Sequence, residues 1–172
     1  MILGFIFSTF IGSLFLAMPF SLRDGQHINL LASFFTITSA ICVTGLTVVD
    51  ISKVFTPIGW TIILIFIQLG GLGVMTFSST IYLIAGKKLT FSERRALKDE
   101  RNVDDAGEIK NFIKKIYHTV FVIEGVGAAL LTYFFMNTMH YGFFKALYYG
   151  IFHAVSAFNN AGFALYTNNL EG

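Results

Sequence analysis

Residues 30–46 read "LLASFFTITSAICVTGL", and four residues later the chain reaches an acid, Asp50. The apolar run 29–42 would make a helix of about 21 Å at 1.5 Å per residue. That falls short of the roughly 30 Å of hydrocarbon a membrane span must cross. A turn follows, Val43-Thr44-Gly45-Leu46, free of acids and bases. Non-helical backbone at membrane depth is tolerated only where it is buried in protein or lines a water-filled cavity. The stretch therefore predicts a re-entrant hairpin that enters from one face and returns to it. Taken alone, it also fits a helix lying along the membrane surface.

A second copy favours the hairpin. Sliding the chain by 117 residues pairs 30–46 with "LYYGIFHAVSAFNNAGF" (147–163), with Leu30/Leu147, Phe35/Phe152, Ser39/Ser156, Ala40/Ala157 and Gly45/Gly162 identical. The order of elements repeats as well: a long apolar segment, a short helix, a glycine turn. The long segments are roughly 2–22, 57–85 and 112–137, the last interrupted by Glu124. Thr56 and Pro57 suit the start of the second, as N-cap and first helical residue. The predicted fold is an all-α integral membrane protein of span–re-entrant helix–span units. One complete unit occupies 1–86, a linker 87–111, and a second unit lacking its last span 112–172. The chain is read as the N-terminal part of a longer protein or an incomplete product.

Composition agrees. The 172 residues are 55% hydrophobic and 13% charged, against about 25% charged in soluble domains. Nine of the twelve Lys and Arg lie between Lys87 and Lys115, which assigns 87–111 to the cytoplasmic side and residues 23–56 and 138–145 to the outside. The first 22 residues carry no charge, whereas a secretory signal opens with a basic region. They are read as a true span. The lone cysteine, Cys42, excludes an internal disulfide and is expected to be a small packing residue.

The two glycine turns suggest chemistry. A cation crossing a narrow pore sheds water, and rings of backbone carbonyls can replace that hydration. The candidate filter residues are Val43, Thr44, Gly45 and Leu46 in the first turn. In the second they are Asn159, Asn160, Ala161, Gly162 and Phe163. Gly45 and Gly162 can take backbone angles that turn carbonyls toward an axis. The preceding helices would point their partially negative C-termini at the same place. Ordinary glycine helix caps are the competing explanation.

"TSAICVTGLTVVD" (38–50), "IQLGGLGVMTF" (67–77) and "FHAVSAFNNAGFAL" (152–165), in this order, resemble the Trk/Ktr/HKT superfamily of potassium transporters. The likeness is strongest to the membrane subunit of bacterial Ktr and Trk systems. That resemblance implies four linked span–pore helix–span units around one pathway in the bacterial cytoplasmic membrane. One filter glycine per unit would be matched here by Gly45 and Gly162. It further implies potassium as the transported ion, a homodimer of membrane subunits in the lipid bilayer, and a cytoplasmic nucleotide-binding regulatory subunit. No nucleic-acid partner and no cofactor are expected.

Other features carry alternatives. Gly70, Gly71 and Gly73 lack the third glycine of a dinucleotide loop, Thr76 standing in its place, and read as sites of close helix packing. Glu124, an acid inside a span, either attracts cations or accepts hydrogen bonds from backbone or hydroxyl groups within the bundle. Asp50 either concentrates cations at a pore mouth or is an ordinary surface acid. His153 is expected to pack within its helix rather than bind a metal. The linker's charges set topology, and could dock a regulatory subunit. No G-x-S triplet supports serine protease chemistry, so an enzyme is not expected. A carrier with broken helices and a non-transporting assembly subunit remain the competing functions.

Overall fold

Within the segment 30–46 the short helix forms where its pattern predicts one. In the computed structural model, which describes residues 2–73 and 106–166, Asn29 caps a helix by accepting from the Ala32 N–H at 2.7 Å. The helix runs Leu30–Ile41. In chain order the helices are α1 (Ile2–Ala17), α2 (Leu30–Ile41), α3 (Ile51–Val54), α4 (Pro57–Gly71), α5 (Ala106–Thr138) and α6 (Phe143–Phe158). Among the described residues there is a single isolated bridge, Leu22 with Phe55, and no strand. Met1–Gly71 and Glu124–Gly172 form one compact unit and Leu72–Ile123 another. The second half of the expected second span, most of the 87–111 linker and residues 167–172 lie outside the described residues.

Two long segments are shorter as helices than the sequence predicts. α1 stops at Ala17, and Pro19 starts a single 3-10 turn over Pro19–Ser21, because proline cannot donate to the preceding turn. α4 starts as expected, with the Gly59 N–H 3.3 Å from the Thr56 hydroxyl. It ends at Gly71, and Gly73 takes φ 85°, a left-handed value that no α-helix contains. Fifteen residues make about 22 Å of helix. α5 begins at Ala106, inside the stretch read as linker, and its portion Lys114–Thr138 is long and apolar enough to cross a membrane.

In the first unit α1, α2 and α4 close around small residues. Thr9, Ser13 and Leu16 are buried on one side of α1, at the i, i+4, i+7 spacing of a helix face. The two hydroxyls bond back to the Phe5 and Phe10 carbonyls, which satisfies them without water. A side chain at Gly12 would strike the Phe66 ring of α4 and meet Ile37 Cγ2 of α2 at 3.0 Å, so glycine lets the three backbones converge. The opposite faces are apolar: Phe7 is 64% exposed, Leu31 76%, Leu130 66% and Phe144 85%. Water-facing surfaces rarely carry such continuous apolar area, whereas lipid-facing ones do.

A polar clamp holds the connection between α2 and α4. The Thr56 N–H bonds the Ser21 carbonyl at 2.9 Å and the Arg23 N–H bonds the Val54 carbonyl at 3.0 Å. Arg23 Nε donates to the Phe55 carbonyl at 3.0 Å, and its guanidinium lies 5.2 Å from the Trp60 ring centre. Trp60 Nε1 donates to the Ile51 carbonyl at 2.7 Å. α6 docks beside this clamp through Tyr148, whose hydroxyl donates to the Pro57 carbonyl at 2.9 Å. It packs on α5 at Gly150, where a Cβ would collide with Thr132 Oγ1 and lie 2.8 Å from the Ala128 carbonyl oxygen. The second unit is described at 72–73 and in the first half of α5, where Tyr117 and Phe121 stack at 6.1 Å.

Candidate functional site

The two short helices end in the same way. At the end of α2 the Cys42 N–H bonds the Thr38 carbonyl at 2.8 Å, Val43 bonds Ala40 at 3.3 Å and Thr44 bonds Ser39 at 3.0 Å. At the end of α6, 117 residues on, Asn159 bonds Val155 at 3.1 Å, Asn160 bonds Ala157 at 3.0 Å and Ala161 bonds Ser156 at 2.7 Å. Each set is a Schellman motif, which satisfies the last carbonyls of a helix by turning one residue left-handed. That residue is Val43 (φ 56°) in the first loop and Asn160 (φ 54°) in the second. Two residues later each loop turns left-handed again, at Gly45 (φ 73°) and Gly162 (φ 71°). Asparagine tolerates this region, whereas a β-branched valine is strained in it.

The loops meet at these glycines. A Cβ on Gly45 would lie 2.7 Å from the Ala161 carbonyl oxygen and 3.0 Å from Gly162 Cα. A Cβ on Gly162 would lie 3.2 Å from Gly45 Cα. Gly45 therefore needs glycine twice over, for the backbone angle and for the space, and Gly162 needs it for the angle and sits in a tight fit.

Each loop is fastened to its own helix, by different residues. In the first, the Ser39 and Thr44 hydroxyls share a hydrogen bond at 2.9 Å. In the second, the Ser156 hydroxyl donates to the Phe163 carbonyl at 2.7 Å and accepts from the Phe163 N–H at 3.1 Å. The Phe163 carbonyl thus spends one of its two lone pairs on Ser156. His153 does more than pack within α6. Its Nδ1 lies 2.8 Å from the Tyr149 carbonyl, and its Nε2 accepts from the Leu165 N–H at 3.2 Å. The first bond makes Nδ1 the protonated nitrogen and the second makes Nε2 the acceptor, so the ring ties the chain beyond the loop back to the helix.

The remaining sequence candidates divide. Leu46 is 61% exposed and Ala161 fully buried. Asp50 is the N-cap of α3, accepting from the Ser52 N–H at 3.0 Å and pairing with Lys53 at 3.3 Å. Cys42 is exposed, where the sequence suggested a packed position. As C-cap of α2 it is held by its backbone N–H, not by its thiol. Gly70 and Gly71 lie at close packing points, as expected. A Cβ on Gly70 would overlap the Ile41 carbonyl at the end of α2, and one on Gly71 the Asn159 carboxamide at the end of α6.

Glu124 is buried, and its partners are side-chain amides instead of the backbone or hydroxyl groups the sequence suggested. One carboxyl oxygen accepts from Gln68 Nε2 at 3.2 Å and the other from Asn159 Nδ2 at 3.4 Å. Asn159 Nδ2 also lies 3.2 Å from Gln68 Oε1 and 2.8 Å from the Val155 carbonyl. Sequence reasoning passed over Gln68. The signal was there, since it is the sole carboxamide in the apolar run 57–85.

The TrkH family of cation transport proteins matches the chain over residues 6–172. The chain belongs to the TrkH family. This TrkH-family chain is 37% identical over 168 residues to the Ktr system potassium uptake protein B of Bacillus subtilis (strain 168), a match covering 98% of the chain and 37% of that relative. It is 35% identical over 167 residues to the potassium/sodium uptake protein NtpJ of Enterococcus hirae, covering 97% of the chain and 37% of the relative. The Ktr system potassium uptake protein D of Bacillus subtilis is 32% identical over 162 residues, covering 90% and 34%. The chain thus spans little more than a third of the length of these relatives. TrkH proteins are membrane cation transporters and not enzymes, in agreement with the composition and the apolar exposed faces.

Proposed function

We propose that the protein is part of a membrane subunit that takes up potassium across a bacterial cytoplasmic membrane, with backbone carbonyls of Val43–Leu46 and Asn159–Phe163 lining its selectivity filter. The observation that carries this reading is the pair of matched loops. Two sub-spanning helices end in the same Schellman hydrogen bonds and the same left-handed glycines, and Gly45 and Gly162 touch. Ordinary helix caps have no reason to converge on each other. The relatives' names, potassium uptake proteins of Ktr systems, supply the ion.

In this reading α2 and α6 are pore helices whose C-terminal carbonyls, partially negative, favour a cation at the loops. Potassium leaves its water shell and exchanges it for carbonyl oxygens. Two loops supply part of a ring, and the others come from the rest of a longer transporter, which acts as a homodimer with a cytoplasmic nucleotide-binding subunit. The transported ion is the only ligand required. The test is growth. The complete transporter carrying this sequence restores growth at limiting potassium to a bacterium stripped of its own potassium uptake. Failure to restore growth or potassium-dependent flux, with the protein present in the membrane, defeats the reading.

Asp50 has two roles in this proposal, as cap of α3 and as a negative charge beyond the first loop. Asp50→Asn keeps the cap, since asparagine caps as well as aspartate, and Asp50→Ala removes it at a cost of about 1 kcal/mol. The expected result is unchanged thermal stability in detergent for Asp50→Asn and a lowered midpoint for Asp50→Ala. Both variants raise the KM for potassium at low ionic strength, and the difference from wild type disappears at high salt.

A further inference from the structure

The two loops share a backbone course but are anchored unequally, and the inequality centres on Glu124. With the 117-residue offset, Asn159 corresponds to Cys42 and Glu124 to Phe7, so the first loop has neither the carboxamide nor the acid. At the second loop three polar side chains from three elements converge: Gln68 from α4, Glu124 from α5 and Asn159 from the C-cap of α6. Asn159 is the residue from which the loop departs. Its Nδ2 reaches Glu124, Gln68 and the Val155 carbonyl, and its Oδ1 lies where a side chain at Gly71 would be. Four contacts thus fix one side chain whose own backbone N–H is part of the Schellman motif.

We propose that Gln68, Glu124 and Asn159 form a clasp that positions the second loop, with Glu124 as the positioning residue that sets cation affinity and selectivity there through Asn159. This rests on the filter reading above and extends it from the loop backbone to the side chains that hold it. Glu124 suits the task because both its oxygens accept, so it can draw in two amides at once. In an apolar interior such hydrogen bonds are stronger than they would be in water. The Asn159 amide cannot swing toward the loop axis while it is shared among three acceptors. If the clasp is released, the last turn of α6 and the carbonyls that follow gain freedom, and a cation site built from carbonyl geometry loses its fit first for the ion it selects.

The complete transporter is expressed in a bacterium lacking its own potassium uptake. Initial rates are measured against potassium concentration, with and without competing sodium, and normalised to protein in the membrane. Glu124→Leu is expected to raise the KM for potassium about tenfold, the size of one lost hydrogen bond. Sodium competition strengthens, and maximal rate per molecule stays near wild type. Gln68→Leu removes one amide donor and shifts KM in the same direction by about threefold. It also serves if Glu124→Leu fails to accumulate. Gly45→Ser is run alongside.

Wild-type KM and sodium sensitivity in both clasp variants, or reduced protein amount with wild-type KM in what remains, overturns the clasp. If Gly45→Ser shifts selectivity in that experiment, the filter reading survives the clasp's failure. Unchanged selectivity in Gly45→Ser sinks the filter reading itself.

Discussion

Replacing Gly45 with serine is expected to raise the KM for potassium about a hundredfold and to admit sodium, with Gly162→Ser milder at about tenfold. Two costs act at each position. A residue with a Cβ held left-handed costs roughly 1–2 kcal/mol, and both glycines are left-handed. Crowding adds roughly 1–3 kcal/mol where neighbours cannot move. At Gly45 the new atom would face the Ala161 oxygen at 2.7 Å and Gly162 Cα at 3.0 Å, both backbone. At Gly162 the nearest atom is Gly45 Cα at 3.2 Å, a contact that gives with a smaller shift. The serines would compete for one gap, so the double variant should depart from the sum of the singles. Uptake kinetics with sodium as competitor provide the measurement. Wild-type selectivity in both single variants would remove the loops from the filter.

Gly70→Ala should be more damaging than its size suggests, leaving little folded protein. The added methyl would overlap the Ile41 carbonyl oxygen and lie 2.7 Å from its carbon and 2.9 Å from its Cα. Ile41 ends α2 and leads into the Schellman turn, so it cannot recede without breaking the cap that sets the loop. A cost of about 3 kcal/mol, at the top of the overpacking range, would consume much of an ordinary stability margin. Gly125→Ala is the control. A Cβ there meets nothing within 4 Å, and alanine is favoured over glycine in a helix interior by about 1 kcal/mol. Thermal stability in detergent and yield in the membrane should fall for Gly70→Ala and hold or rise for Gly125→Ala.

Much of this arrangement was legible in the chain. The helices over 30–41 and 143–158 and the start of α4 at Pro57 follow from length, caps and proline placement. Gly45 and Gly162 stood out because a turn containing them recurs after a fixed interval. Other features were not legible because they depend on which residues approach in space. No periodicity announces that Glu124 finds Gln68 and Asn159, since the three lie 35 and 56 residues from one another in sequence along the bonded pairs. His153 reads as packing because nothing local shows that Leu165 folds back to its Nε2. Val43 is stranger still. A β-branched residue in the left-handed position is contrary to propensity, and the cap hydrogen bonds and the Ser39–Thr44 hydroxyl bond surround it there. The early end of α4 was hidden by composition, for a run without charge reads as one helix even when its glycines end it.

Gly70 and Gly71 are neighbours on α4, yet one abuts the end of α2 and the other the end of α6. Consecutive residues on a helix point about 100° apart, so α4 runs like an axle through a yoke formed by the two helix ends. Turning or sliding that axle by even a fraction of a residue would press on both ends at once. The ends of α2 and α6 therefore share one support, and bulk added at either glycine of α4 would press on the residue from which a loop departs.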